Sequence, residues 1–195
     1  MGDTKEKILN APNVITIFRV VLAIIIVVFV YFQQSHGIYP WNLLAFSLFV
    51  VASLSDSLDG YLARRNNQIT NFGRLFDPLA DKFLVSFVFI ALTDLHRVPG
   101  WITIIIIGRD IAITGLRGLA AEMGVVIQAS NIGKYKTLFE ILSIGGYIYY
   151  TDLWIFNGKQ IGDYTVGFAI IFALWSGLDY FIKFWKVAFL GSKDG

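Results

Sequence analysis

The chain has 195 residues, 56% of them hydrophobic, and a mean hydropathy of +0.64. That apolar share exceeds the roughly 45–50% of a soluble domain and excludes a disordered polymer. A formal charge of +2 gives no footing for nucleic acid, and the absence of cysteine excludes disulfides, thiolate metal ligands and cysteine nucleophiles.

In chain order, residues 1–12 read as a short interfacial segment. The first predicted span covers about 13–32 and ends at Gln33–Gly37. It is longer than a signal h-region and lacks a small-residue cleavage site, so no cleaved signal is expected. The second span runs from about 40 to 64, and the polar turn RRNNQITN follows at 64–71. The third runs from about 72 to 92, the fourth from 99 to 122 and the fifth from 133 to 150. TDLWIFNGKQIGD at 151–163 reads as a loop, and the sixth span covers about 164–185. Each span approaches the ~20 apolar residues that cross a bilayer. Helix is the state that pairs every backbone group inside lipid. The expectation is an all-α integral membrane fold of six transmembrane helices, forming one domain over 1–195.

An even number of spans puts both termini on one side. Lys5, Lys7, Arg64, Arg65, Arg74, Lys134, Lys136, Lys183, Lys186 and Lys193 gather at one set of ends, while the opposite loops carry only Arg97 and Lys159. The positive-inside rule makes the first set cytoplasmic. Tyr39, Trp41, Trp101, Trp154 and Trp185 suit the aromatic belts at the two interfaces.

Charges within predicted spans mark functional sites. Asp56 and Asp59 stand three apart near the cytoplasmic end of the second span, and Asp77 and Asp81 stand four apart near the start of the third. Those spacings put each pair on one helical face. The short turn makes the two helices antiparallel neighbours, so the four carboxylates can meet across one seam. Clustered carboxylates repel unless protons or cations neutralise them. Oxygen-only ligands suit Mg²⁺ or Mn²⁺, and two such ions could clamp a phosphoryl centre. Gly60 and Gly73 allow close approach, Ala63 keeps the face clear, Arg64 offers a phosphate fork, and Pro78 can kink the third span.

Residues 56–81, DSLDGYLARRNNQITNFGRLFDPLAD, match D-x-x-D-G-x-x-A-R-x(8)-G-x-x-x-D-x-x-x-D at every fixed position and gap. This resembles the signature of the CDP-alcohol phosphotransferases, and the length and span pattern extend the resemblance over the whole chain. It implies that Asp56, Asp59 and Asp77 bind metal and that Asp81 is both ligand and general base. It implies that Gly60, Arg64 and Thr70 contact the CDP-lipid, with Gly73 shaping the nucleotide pocket. It also implies attack of an alcohol on the lipid-bearing phosphorus with loss of CMP, and a homodimer.

Family members differ in acceptor, which points to the fourth and fifth spans. GRDIAITGLRGLAAEMG at 108–124 carries Arg109, Asp110 and Arg117, and NIGKYKT at 131–137 adds Lys134 and Lys136. Cations in excess of anions suggest an anionic acceptor such as a phosphate. APNVITIFRV at 11–20, the RD…LR pattern at 109–117 and IGKYKT look more narrowly like the bacterial branch that uses glycerol 3-phosphate. That likeness assigns Arg109, Arg117 and Lys134 to the acceptor phosphate and CDP-diacylglycerol as donor, and it makes Asn13, Thr16 and Arg19 an element that closes over the nucleotide or headgroup. The plainer reading of the basic residues is lipid anchoring, or pairing with Asp110 and Glu122. The glycines of SIGGY and WSGL read as close helix contacts, of a kind that also serves a dimer. Alternatives are another acceptor (inositol phosphate, serine or phosphatidylglycerol), a divalent-cation transporter, or a silent scaffold. A transporter has no need of Gly60, Ala63, Arg64 and Gly73 at fixed offsets, and a silent scaffold no need of intact catalytic positions.

Overall fold

A computed structural model describes residues 11–66, 71–125, 131–153, 156–186 and 188, with side chains described for 17–55, 82–125, 132–151, 157–186 and 188. Six helices make up nearly all of it: α1 Ala11–His36, α2 Trp41–Asn66, α3 Asn71–Asp94, α4 Gly100–Glu122, α5 Asn131–Tyr149 and α6 Gly158–Trp185. The predicted interfacial segment lies outside the described residues but for its last two, Ala11 and Pro12, which open α1. On length and composition, two helical stretches among the described residues can cross a membrane: Ile17–His36, with mean hydropathy 2.2, and Gly158–Trp185, with 1.6.

α1 runs one turn past its predicted end. Gln33 is buried and accepts a 2.6 Å hydrogen bond from the Arg97 guanidinium, so the helix continues until Gly37, at φ +90°, ends it. Arg97, expected as a loop charge, is itself buried. It also donates to the Tyr147 carbonyl at 3.2 Å and lies 4.4 Å above the Tyr150 ring.

The stretch predicted as a loop at 151–163 is corrected. A two-residue antiparallel pair, β1 Asp152–Leu153 with β2 Phe156–Asn157, leads directly into α6 at Gly158. The Asn157 side chain caps α6 by accepting from the backbone N–H of Lys159 at 2.8 Å and of Gln160 at 3.3 Å. Gly158 and Gly162 in that stretch are packing positions. A Cβ on Gly146 would lie 2.7 Å from the Gly158 oxygen and 2.7 Å from the Gly162 nitrogen, so α5 and α6 meet backbone to backbone.

α1 packs extensively on both α2 and α3, and α5 on α6; α4 lies against α6, and α5 also reaches α2 and α3. Leu22, Ala23, Ile26 and Val30 on α1 join Phe49 on α2 and Val88 and Phe89 on α3 in the apolar core. The outer faces are apolar too: Phe18, Ile24, Ile90, Ile104, Ile111 and Leu178 are all more than half exposed. A soluble monomer rarely shows so much apolar surface, whereas lipid accepts it.

Candidate active site

The backbone carries Asp56, Asp59, Gly60 and Arg64 on α2 and Gly73, Asp77 and Asp81 on α3. The helical state required by the spacing argument is present on both sides of the turn. The side chains of 56–81 lie outside the described residues, as does all of Thr70, and the expected seam between α2 and α3 falls there too. Among the described residues no cluster of three or more histidine or acidic side chains forms. The expected donor set is the four aspartates. Their chemistry, oxygen only and anionic, fits a hard divalent ion.

Immediately beyond Asp81 the side chains are described, and they open a cavity of about 250 Å³. α3 contributes Lys82 and Val85, α4 contributes Arg109, Asp110, Ile113 and Arg117, α5 contributes Gly133, Lys134, Lys136, Thr137 and Glu140, and α6 contributes Tyr180. Arg109, Arg117 and Lys134, singled out in the sequence, therefore line one space. On α4 the lining residues run from the middle of the helix toward the 122–131 connection, on α5 they fall in the half nearer that connection, and α3 adds the residue next to Asp81. The volume lies below the roughly 300–1,000 Å³ typical of drug-sized ligands and suits a small polar one.

The cations differ in how they are held. Arg109 donates to Asp110 Oδ1 at 3.0 Å and to Ser176 Oγ on α6 at 2.7 Å. Arg117 donates through Nε to the Tyr180 hydroxyl at 3.1 Å and lies 5.3 Å from that ring's centre. Lys82 donates to the Asp110 carbonyl at 3.2 Å and to the Thr114 hydroxyl. Lys134 is exposed and has no hydrogen bond or ion pair among the described residues. Lys136 is buried, donating to both Asp110 oxygens at 2.7 Å and ion-paired with Glu140 Oε1 at 2.7 Å. The pairing reading therefore holds for Lys136, with Glu140 in place of the expected Glu122.

The charges divide accordingly. Arg109 and Lys136 balance Asp110 and Glu140, which leaves Lys82, Arg117 and Lys134 without a carboxylate among the described residues. A low-dielectric wall with surplus positive charge invites an anion. Sequence reasoning missed Lys82, although a lysine directly after Asp81 inside an apolar run was a usable signal. Glu140, an acid inside the fifth predicted span, offered the same signal, whereas Ser176 and Tyr180 carried none. Arg19, expected near the headgroup, is buried on α1, and Asn13 and Thr16 have side chains outside the described residues.

The family model described as CDP-alcohol phosphatidyltransferase matches residues 9–181. The chain belongs to this family. Among its relatives are proteins named CDP-diacylglycerol–glycerol-3-phosphate 3-phosphatidyltransferase. The one from Bacillus subtilis (strain 168) is 36% identical over 185 residues, covering 91% of this chain and 96% of the relative. Its namesake from Shigella flexneri serotype 5b is 34% identical over 177 residues, covering 88% and 92%. The one from Rickettsia typhi is 32% identical over 180 residues, covering 88% and 95%. This CDP-alcohol phosphatidyltransferase is a transferase enzyme, and its apolar helices and phospholipid-synthesising relatives make it a membrane protein.

Proposed function

We propose that this protein transfers the phosphatidyl group of CDP-diacylglycerol to glycerol 3-phosphate, forming phosphatidylglycerophosphate and CMP. The observation that carries the acceptor is the gathering of Arg109, Arg117 and Lys134 in one small cavity that begins at Lys82, the residue after Asp81. A phosphate monoester matches its size and its surplus of positive charge.

In this reading Asp56, Asp59, Asp77 and Asp81 hold Mg²⁺ or Mn²⁺, as two ions. Bound there, the ions would offset the carboxylate charge and polarise the phosphoryl group. Gly60, Arg64 and Thr70 hold the CDP-lipid, and Gly73 leaves room for the nucleotide. The cavity cations fix the acceptor phosphate and aim its hydroxyl at the lipid-bearing phosphorus. Asp81 takes the hydroxyl proton, the new O–P bond forms, and the bond to the CMP oxygen breaks in line.

The same reading makes all six helices transmembrane, with both termini and the site on the cytoplasmic side of a bacterial inner membrane. Residues 1–12 lie at the interface, the molecule is a single domain, and it works as a homodimer.

The test is CMP release by purified protein with CDP-diacylglycerol and Mg²⁺ or Mn²⁺, offering glycerol 3-phosphate, serine, inositol and inositol phosphate in parallel. Release with glycerol 3-phosphate alone, lost in Asp81→Asn, is expected. Release with another acceptor would overturn the reading of the cavity and leave the family intact. Metal flux into liposomes without CMP release would overturn the transferase mechanism.

A further inference from the structure

We infer that Glu140 is a positioning residue for the acceptor site, acting through Lys136 and Asp110 on Arg109. This rests on the acceptor reading above.

Glu140 sits on α5 with its side chain only 1% exposed. A carboxylate in such a place is costly unless a cation pairs with it. Its partner is Lys136, one turn earlier on the same helix and 4% exposed, whose ammonium lies 2.7 Å from Glu140 Oε1. Lys136 also reaches both oxygens of Asp110 on α4. Asp110 Oδ1 in turn takes Arg109 NH1, and the other end of that guanidinium is fixed by Ser176 on α6. The chain of contacts thus links α5, α4 and α6 and ends on a planar fork at the cavity wall.

Glu140 supplies one thing the other three groups lack, a second negative charge. With it, Arg109, Asp110, Lys136 and Glu140 sum to zero. Without it, Arg109 and Lys136 share a single carboxylate. Lys136, the more deeply buried cation, then has Asp110 as its sole anionic partner among the described residues and draws it away from Arg109. The guanidinium loses one of its two fixed points and turns from the orientation that a bidentate phosphate contact requires. Glu140 touches no reacting atom, so its effect should fall on the acceptor and spare the lipid donor.

The experiment measures KM for glycerol 3-phosphate and for CDP-diacylglycerol separately, in full-length wild type, Glu140→Gln, Arg109→Lys and the double variant. Glu140→Gln should raise the acceptor KM about tenfold and leave the CDP-diacylglycerol KM within about twofold. The double variant should be little worse than Arg109→Lys, because both changes break one line of contacts. Equal rises in both KM values, or additive effects in the double variant, would overturn the inference. If Glu140→Gln does not fold, Glu140→Asp keeps the charge while drawing the carboxylate back by one methylene, and is judged by the same split. If wild type uses another acceptor, the Proposed function falls on that result alone, and the KM split is read on the acceptor that works.

Discussion

Lys82 on α3 and Asp110 on α4 are joined side chain to backbone, the Lys82 ammonium donating to the Asp110 carbonyl at 3.2 Å. The Thr114 hydroxyl donates to the same carbonyl at 2.7 Å. Lys82 follows Asp81 directly, so α3 is fastened to the cavity wall one residue from the expected base. Lys82→Met should lower kcat/KM for CMP release about tenfold or more, since a small misplacement of reacting groups is costly. Steady-state assays on folded protein check this, and an unchanged rate would show that the link is ornamental.

Arg117 should matter differently. Its guanidinium is held by Tyr180 and, among the described residues, by no carboxylate, so its charge remains available to a ligand. Arg117→Ala should raise the acceptor KM by about ten- to a hundredfold, the loss expected for a charge-assisted contact. Tyr180→Phe removes the Nε partner and should give a smaller rise in the same direction. Acceptor titrations at fixed CDP-diacylglycerol separate the two.

Removal of divalent ions by chelation should abolish CMP release, and Mg²⁺ or Mn²⁺ should restore it. Asp81→Asn should lose about 10²–10⁴-fold in rate even with metal present, the usual range for a lost general base, and more if ligation fails too. Isothermal titration of metal into wild type and into Asp56→Asn and Asp77→Asn would separate loss of ligation from loss of the base.

Gly146 tests the fold. A Cβ there meets backbone at 2.7 Å on α6, which no side-chain rotation can relieve. Gly146→Ala should destabilise the protein by about 1–3 kcal/mol as overpacking. Gly115 on α4 has nothing within 4 Å of a Cβ, so Gly115→Ala should be neutral or gain up to about 1 kcal/mol in helix propensity. Thermal unfolding in detergent compares the two.

Much of the architecture was legible because apolar runs of span length carry strong local information. Five of the six helices begin within about two residues of their predicted starts, well inside the error usual for such boundaries. α6 begins six residues before its predicted start and takes in Gly158 and Gly162 from the stretch predicted as a loop. In a helix pressed against another backbone, glycine is a spacing choice, and nothing local distinguishes that from a turn. The cavity's cations were legible as charges inside spans. What they grip was not, since Ser176 and Tyr180 lie more than sixty residues from Arg109 and Arg117, and only packing brings them together. Lys134 and Lys136 are two apart and take opposite environments, a difference set by which face of α5 meets α4 and α6.

The glycine contact between α5 and α6 has a counterpart nearer the cavity. There the same two helices are held apart by stacked rings: Phe139 against Phe172 at 5.4 Å and against Phe168 at 5.2 Å, and Tyr135 against Phe172 at 5.7 Å. About 10 Å along the axis from a backbone-to-backbone pinch, the gap is a ring thick. The pair is a wedge, riveted at its narrow end and shimmed near its mouth. The width of that mouth is set by the thickness of four aromatic side chains, none of which lines the cavity. The calibre of the cavity can therefore be tuned by exchanging a shim for a thinner aliphatic one, with every charged group left in place.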